Sequence, residues 1–200
     1  MCYLNMKMMA DWGYPEIDDV VILNTSNHNQ FVQDYDEALV YYHLPKCKYC
    51  VQMDKFFGAL ALIYKEKDQR IPFASFDCSK DMQFCQNLQI PAYPFVVFYI
   101  RSHPVIYYGK RNKIEIENFI EKIMNKKPKK IELKNLENLQ TNQLIVLYFG
   151  SENLQGFHLF DLVCKYHQEL NFFWIENNFN IAEIKKLKLF KDSTFHKTDF

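Results

Sequence analysis

Apolar positions along this chain fall into short continuous runs separated by stretches with helical spacing. Val20-Val21-Ile22-Leu23 is the first run, and the polar residues from Asn24 to Asn29 before Phe31 and Val32 are of cap-forming type. This predicts a strand, then a short helix near residues 31–35. A second run, Ala38 to Tyr42, predicts another strand, and after it Met53, Phe56, Phe57, Leu60 and Ile63 take up the i, i+3, i+4, i+7, i+10 spacing of one helix face. That helix is expected from about residue 49 to 67, with Gly58 inside it at a cost of about 1 kcal/mol relative to Ala. Residues 72–76 read as the next strand and 81–88 as a short helix. Phe95-Val96-Val97-Phe98-Tyr99-Ile100 is apolar on both faces, as a central strand covered by helices would be. Residues 105–108 follow as a further strand, and Asn112 and Glu115 then have capping-box spacing ahead of Ile116, Phe119, Ile120 and Ile123.

Where the second run gives way to the long helix stand Cys47 and Cys50. A helix N-terminus offers free N–H groups and the positive end of a dipole, which stabilise a thiolate. The pair is therefore a candidate dithiol, with Cys47 the nucleophile and Cys50 the buried resolving thiol. Two other readings stay open. Cys-x-x-Cys is half of a zinc site, although Cys78 and Cys85 are too widely spaced for a zinc knuckle, and two inert cysteines are also possible.

Length and composition narrow the classes. Two hundred residues allow one domain or two small ones, and 48% hydrophobic residues with 18 Phe and 13 Tyr supply ample core. Lys plus Arg equals Asp plus Glu at 24 each, so no electrostatic footprint points to nucleic acid or an anionic membrane. No apolar run approaches the ~18–20 residues of a membrane span. Nor do residues 1–20 hold the apolar stretch of about 7–15 residues that a signal peptide needs. The expectation from this end alone is a cytosolic chain, or one whose true start is missing.

Three motifs then coincide. Pro45-Lys46-Cys47-Lys48-Tyr49-Cys50 resembles Pro-Trp-Cys-Gly-His-Cys, Ile90-Pro91-Ala92-Tyr93-Pro94 resembles Val-x-Gly-Tyr-Pro, and Tyr107-Tyr108-Gly109-Lys110-Arg111 resembles Tyr-x-Gly-x-Arg. All three belong to the protein disulfide isomerase family. Residues 18–126 thus resemble its thioredoxin-fold catalytic a-type domain, with residues 1–17 as an N-terminal segment. The resemblance implies an α/β fold with a central mixed sheet and flanking helices, and no cofactor beyond the Cys47–Cys50 disulfide. It places Pro94 in a cis bond facing the dithiol, Arg111 near the buried Cys50, and Lys48, Tyr49, Tyr93 and Pro94 toward substrate. A trans loop proline and a surface arginine are the plainer alternatives. Some family members also carry Asp-Cys-Thr and a second cysteine at the spacing of Cys78 and Cys85, which implies a structural disulfide; two separately buried thiols are the alternative.

Beyond residue 126 a polar, basic stretch with Pro128 reads as a linker, residues 127–130. The pattern then partly restarts: strands near 131–133, 144–149 and 172–175, a helix near 154–170, and a short helix near 182–187. Residues 131–200 thus read as a second, incomplete thioredoxin-like unit. It resembles the redox-inactive b-type domain, with Gly150-Ser151-Glu152-Asn153 where the first unit has its cysteines.

Two departures from the family bear on chemistry. The family's buried acid, six residues before the first cysteine, is Tyr41 here, and the helix proline five residues after the second is Lys55. Lys46 and Lys48 flank Cys47, where cations favour a thiolate, and Tyr49 replaces a histidine. The expectation is ready formation of a mixed disulfide and slow resolution, because a neutral phenol is no base at pH 7. The reading is a thiol–disulfide oxidoreductase or isomerase acting on unfolded or misoxidised protein clients, exchanging electrons with an oxidase or a thiol reductant. It takes no metal, no nucleic acid and no membrane span, and works in the endoplasmic reticulum lumen or, alternatively, the cytoplasm. The rivals are a binding or chaperone module with a slow or vestigial dithiol, and a cytosolic thioredoxin-like reductase. No C-terminal retention signal is expected from Lys197-Thr198-Asp199-Phe200.

Overall fold

A computed structural model of the chain describes residues 16–17, 19–67, 71–139 and 144–176. Its contacts divide the chain into two units, Met1–Asn125 and Lys126–Phe200.

The first unit is built on six strands: β1 (Glu16–Ile17), β2 (Val20–Leu23), β3 (Glu37–His43), β4 (Phe73–Asp77), β5 (Phe95–Ile100) and β6 (His103–Ile106). They lie in the order β1-β2-β4-β3-β5-β6, with β2, β4 and β3 parallel and the remaining pairs antiparallel. Four helices cover this sheet: α1 (His28–Asp34), α2 (Lys48–Glu66), α3 (Met82–Asn87) and α4 (Lys113–Met124). Strand alternation sorts the side chains. Val21, Leu23, Ala38, Val40, Tyr42, Ala74, Phe76, Phe95, Val97 and Tyr99 form one core with Phe31 and Val32 of α1 and Cys85 of α3. On the other face α2 supplies Phe57 against Tyr41 and Phe73, and Tyr64 against Phe73. Tyr64 also donates to Glu121 of α4 at 2.9 Å. The buried face of α2, with Cys50, Met53, Phe57, Leu60, Ala61 and Tyr64, stabilises that helix despite Gly58.

Local signals explain the boundaries. Asp81 caps α3 by accepting from Phe84 N at 2.9 Å, and Asn112 caps α4 by accepting from Glu115 N at 3.0 Å. The strand expected over residues 105–108 is instead His103–Ile106. Arg101 and Ser102 have φ of 45° and 67°, so β5 and β6 meet in a two-residue turn with Ile100 opposite His103. Neither residue favours that backbone. The turn is held by Arg101 N and Nε on Asp36 O and Oδ1, both at 2.8 Å, and by Ser102 Oγ on Val32 O at 3.0 Å.

The second unit holds β7 (Lys129–Lys130), a 3-10 turn (Leu133–Asn138), β8 (Ile145–Phe149), α5 (Gln155–Tyr166) and β9 (Asn171–Ile175). Its sheet runs β7-β9-β8, all parallel, the same first-third-second arrangement as β2-β4-β3. Phe160, Cys164, Phe172 and Trp174 form its core. Three expectations are corrected here. Lys129 and Lys130, read as linker, pair with Phe173 and Trp174 as an edge strand, whereas Leu133 begins the 3-10 turn rather than ending a strand. α5 stops at Tyr166, short of residue 170. The helix expected at 182–187 lies outside the described residues.

Candidate active site: a dithiol at the head of α2

β3 runs through the sheet and delivers the chain to a turn, Leu44-Pro45-Lys46, in which Cys47 N donates to Leu44 O at 3.1 Å. Cys47 has extended backbone, φ −75° and ψ 121°, and is the N-cap of α2. Its sulfur accepts from Cys50 N at 3.3 Å. A thiol thus stands where capping side chains ordinarily supply an oxygen, and an N–H points at the sulfur on which charge develops during thiol exchange. Cys47 is half-buried, and its Sγ also reaches Tyr93 O at 3.6 Å. The Tyr93–Pro94 peptide bond is cis. The loop before β5 therefore presents backbone to Cys47.

Cys50, one turn on, is fully buried. Desolvation pushes its thiol up to about 11, with further raising from hydrogen bonding and charge at Cys47; contacts from the Leu44 backbone and the Tyr41 hydroxyl pull the other way. The two cysteines are thus unequal. One meets solvent, and the other keeps its proton. Lys46, Lys48 and Tyr49 are exposed around the mouth. Tyr93 is half-buried, its hydroxyl on Met82 Sδ at 3.5 Å, and Pro94 is buried.

Arg111 is not brought to this site. It is exposed, its guanidinium donates to Gly109 O at 3.3 Å, and it is not among the groups acting on Cys50. The carbonyl of its own loop offers a partner without the desolvation that an approach to Cys50 would require.

Cys78 and Cys85 are disulfide-bonded in the structure, with Cα atoms 5.9 Å apart. Both are fully buried, in the core cluster that holds Phe31 and Val32 of α1. Cys78 N donates to His43 O at 2.9 Å, and Ile90 N donates to Cys85 O at 3.1 Å. The bridge thereby joins the end of β4, the strand end that precedes the dithiol, and the start of the loop carrying Tyr93 and Pro94.

Asp54 escaped the sequence reading. Tyr41, in the position of the family's acid, donates its hydroxyl to Asp54 Oδ1 at 3.0 Å and to Cys50 O at 3.1 Å. α2 thus brings a carboxylate to the tyrosine that stands where the family has its acid. The signal was i,i+4 spacing from Cys50, which places Asp54 above the same strand residue. In the second unit the equivalent corner lacks a thiol. A Cβ on Gly150 would meet the Tyr148 ring at 2.6–2.7 Å, so an aromatic side chain fills that space. Cys164 is buried and pushed up to about 11 by desolvation, an inert position. Among the described residues no cluster of three or more His, Cys, Asp or Glu is placed to hold a metal ion.

A mixed sheet with this helix arrangement and a dithiol facing a cis-proline loop defines a thioredoxin-fold protein. The comparisons agree. The thioredoxin family model matches residues 19–122. Bovine protein disulfide-isomerase A4 is 31% identical over 101 residues, 50% of this chain and 16% of that protein. Arabidopsis thaliana protein disulfide isomerase-like 1-4 is 26% identical over 159 residues, 78% of this chain and 25% of that one. The crystal structure of human ERp44 form I superposes with a TM-score of 0.75 over 82% of this chain and 46% of that chain, at 18% identity. The chain belongs to the thioredoxin family, and the curated relatives it is similar to are protein disulfide isomerases. It spans 16–25% of the length of the two curated relatives named.

Proposed function

We propose that this chain is a thiol–disulfide oxidoreductase acting on cysteines of unfolded or misoxidised protein clients. The observation that carries the reading is the inequality of the pair: Cys47 half-exposed under the Tyr93 carbonyl, Cys50 sealed with its proton on. In reduction of a client, the Cys47 thiolate attacks one sulfur of the client disulfide. A Cys47–client bond forms, and the other client sulfur leaves with the electron pair and takes a proton from solvent. Cys50 then gives up its proton and attacks Cys47 Sγ, releasing the second client thiolate and closing the Cys47–Cys50 disulfide. Oxidation of a client runs the same steps backwards. The redox group is the dithiol itself, recharged by an oxidase or a thiol reductant.

Lys48, Tyr49, Tyr93 and Pro94 form the client-facing rim in this reading, and Cys78–Cys85 serves as a structural bridge. Such a bridge suits an oxidising compartment, and the endoplasmic reticulum lumen is the one we assign. No helix among the described residues is long and apolar enough to cross a membrane. The second unit acts as a redox-inactive, b-type neighbour of the catalytic domain.

The test is client trapping. Cys50→Ser should accumulate a covalent Cys47–client adduct with a protein carrying scrambled disulfides, and Cys47→Ser should give none. A Cys47→Ser, Cys50→Ser double variant that still suppresses client aggregation as the native chain does, while the native chain shows no disulfide turnover, would replace this reading by the binding-module one.

A further inference from the structure

Cys50 must lose a proton whenever it resolves a mixed disulfide, and its surroundings oppose the charge. What else touches it is therefore informative. The Tyr41 ring is buried between Phe57, with centroids 5.0 Å apart, and His43, stacked at 4.9 Å. Its hydroxyl is shared three ways. It donates to Cys50 O and to Asp54 Oδ1, and it is also a hydrogen-bond partner that favours the Cys50 thiolate. Asp54 itself is exposed on α2. It lines a cleft of about 220 Å³ with Tyr41, His43, Ser75 and Gly58. One phenol therefore spans the distance from a sealed thiol to a solvated carboxylate.

We propose that Asp54, acting through the Tyr41 hydroxyl, is the proton acceptor for Cys50, so that α2 carries one turn beyond the buried thiol the carboxylate that β3 lacks. This rests on the oxidoreductase reading above and deepens it. In the resolving step the Cys50 S–H proton passes to Tyr41 Oη while the Tyr41 proton passes to Asp54 Oδ1. Cys50 Sγ bonds to Cys47 Sγ, and the Cys47–client bond breaks with its electron pair on the client sulfur. The protein dithiol gives up the two electrons that reduce the client disulfide, and Asp54 returns its proton to water at the cleft. Burial, with Asp54 and Cys50 nearby, holds the Tyr41 phenol far above its ordinary range, so the two transfers run together and no phenolate forms.

Other charged groups at this face set the background. His43 lies below its ordinary range because it is desolvated, with Asp54 and Asp77 acting to raise it and Lys80 to lower it. Its Nδ1 is buried and finds no hydrogen-bond partner among the described residues. A neutral imidazole beside Asp54 leaves the carboxylate as the group at this cleft that carries charge and touches Tyr41.

A chromogenic aryl disulfide reads the two steps separately in the full chain, with Cys2→Ser and Cys164→Ser as common background. Attack by Cys47 releases the first aryl thiolate, and attack by Cys50 releases the second. Asp54→Asn and Tyr41→Phe should each slow the second release by at least about tenfold, within the range of roughly 10²–10⁴-fold that general acid–base help reaches. Attack by Cys47 draws no proton from Cys50, so the first release keeps its rate. Combining the two substitutions should slow the second release no further than either alone, and Asp54→Glu should recover most of it. The variants should also show a second release that climbs about tenfold per pH unit, steeper than the native profile. Native-rate resolution in Asp54→Asn, or equal slowing of both releases, overturns the proposal. A native chain that never releases the second thiolate sinks the oxidoreductase reading itself, before any variant is compared.

Discussion

The sealed position of Cys50 makes a quantitative demand on its reactivity. At about 11, the Cys50 thiol is ionised in roughly one molecule in 3,000 at pH 7.5, against about one in ten to thirty for an ordinary thiol near 8.5–9. Only the thiolate is nucleophilic, so alkylation should be slower by about 100- to 300-fold from ionisation alone, and full burial slows it further. The assay is timed iodoacetamide labelling of the reduced chain, with the Cys47 and Cys50 peptides quantified by mass spectrometry. The initial Cys50 rate should rise about tenfold per pH unit until pH approaches 11. The same shift has a stability consequence of defined sign. A thiol raised in the folded state binds its proton more tightly there than in the unfolded chain. Its contribution is therefore full below about 9 and lost as pH rises through about 11. Reduced protein should lose stability over that window, and the Cys47–Cys50 disulfide form should not lose this component. Labelling of Cys50 at pH 7.5 within tenfold of the urea-unfolded chain would refute the burial argument.

Three further outcomes follow from the first unit. Tyr42→Phe removes the hydroxyl that joins His28 Nε2 at 2.6 Å to Tyr99 Oη at 2.7 Å, both buried, and should cost about 1–3 kcal/mol in urea unfolding; an unchanged midpoint would mean the pair finds other partners. His28 is 2% exposed and desolvation lowers its pKa, so the unfolded chain binds the extra proton first. Stability should accordingly fall as pH drops below about 6.5, and a urea midpoint equal at pH 7 and pH 5 would count against a buried neutral imidazole. Paired Cys78→Ala, Cys85→Ala should lower stability by about 2–3 kcal/mol from the lost loop constraint, and should slow the first aryl thiolate release by loosening the Tyr93–Pro94 loop; native first-release kinetics would detach the bridge from that loop.

What the sequence revealed, and what it hid, follows from where information resides. The β2-β4-β3-β5 core was legible because its runs are apolar and its helices strictly periodic, and the motif order gave the topology. Strand β6 was misplaced because Arg101 and Ser102 adopt left-handed backbone without the glycine or asparagine that would announce it. Tertiary hydrogen bonds to Asp36 and Val32 hold that turn. Strand β7 was missed because two exposed lysines carry no apolar signature; its pairing with β9 is a backbone matter. Arg111 was placed by family motif, whereas its guanidinium donates to a carbonyl two residues away. Asp54 was passed over because an exposed acid on a helix reads as a solvated face. Only the arrival of a tyrosine hydroxyl from the neighbouring strand gives it a different use.

The two units also show what separates a chemical site from a fold. Both lead the second strand of a parallel trio, β3 or β8, into the N-terminus of a helix, and both use the same parallel order. At the head of α2 the capping atom is a sulfur, satisfied by Cys50 N and open to solvent on its other side. At the head of α5 the N-cap is Leu154, whose side chain accepts nothing, and the Tyr148 ring occupies the space beside Gly150 and packs against Phe157 and Phe160. Both helices expose N–H groups at that end, as every helix does. The dipole and the sheet cannot therefore be the distinguishing feature. What distinguishes them is a cysteine in the cap position and the space left in front of it. Introducing a Cys-x-x-Cys spacing into residues 151–154 would thus supply thiols without supplying an open corner, because the Tyr148 ring still fills the space beside Gly150.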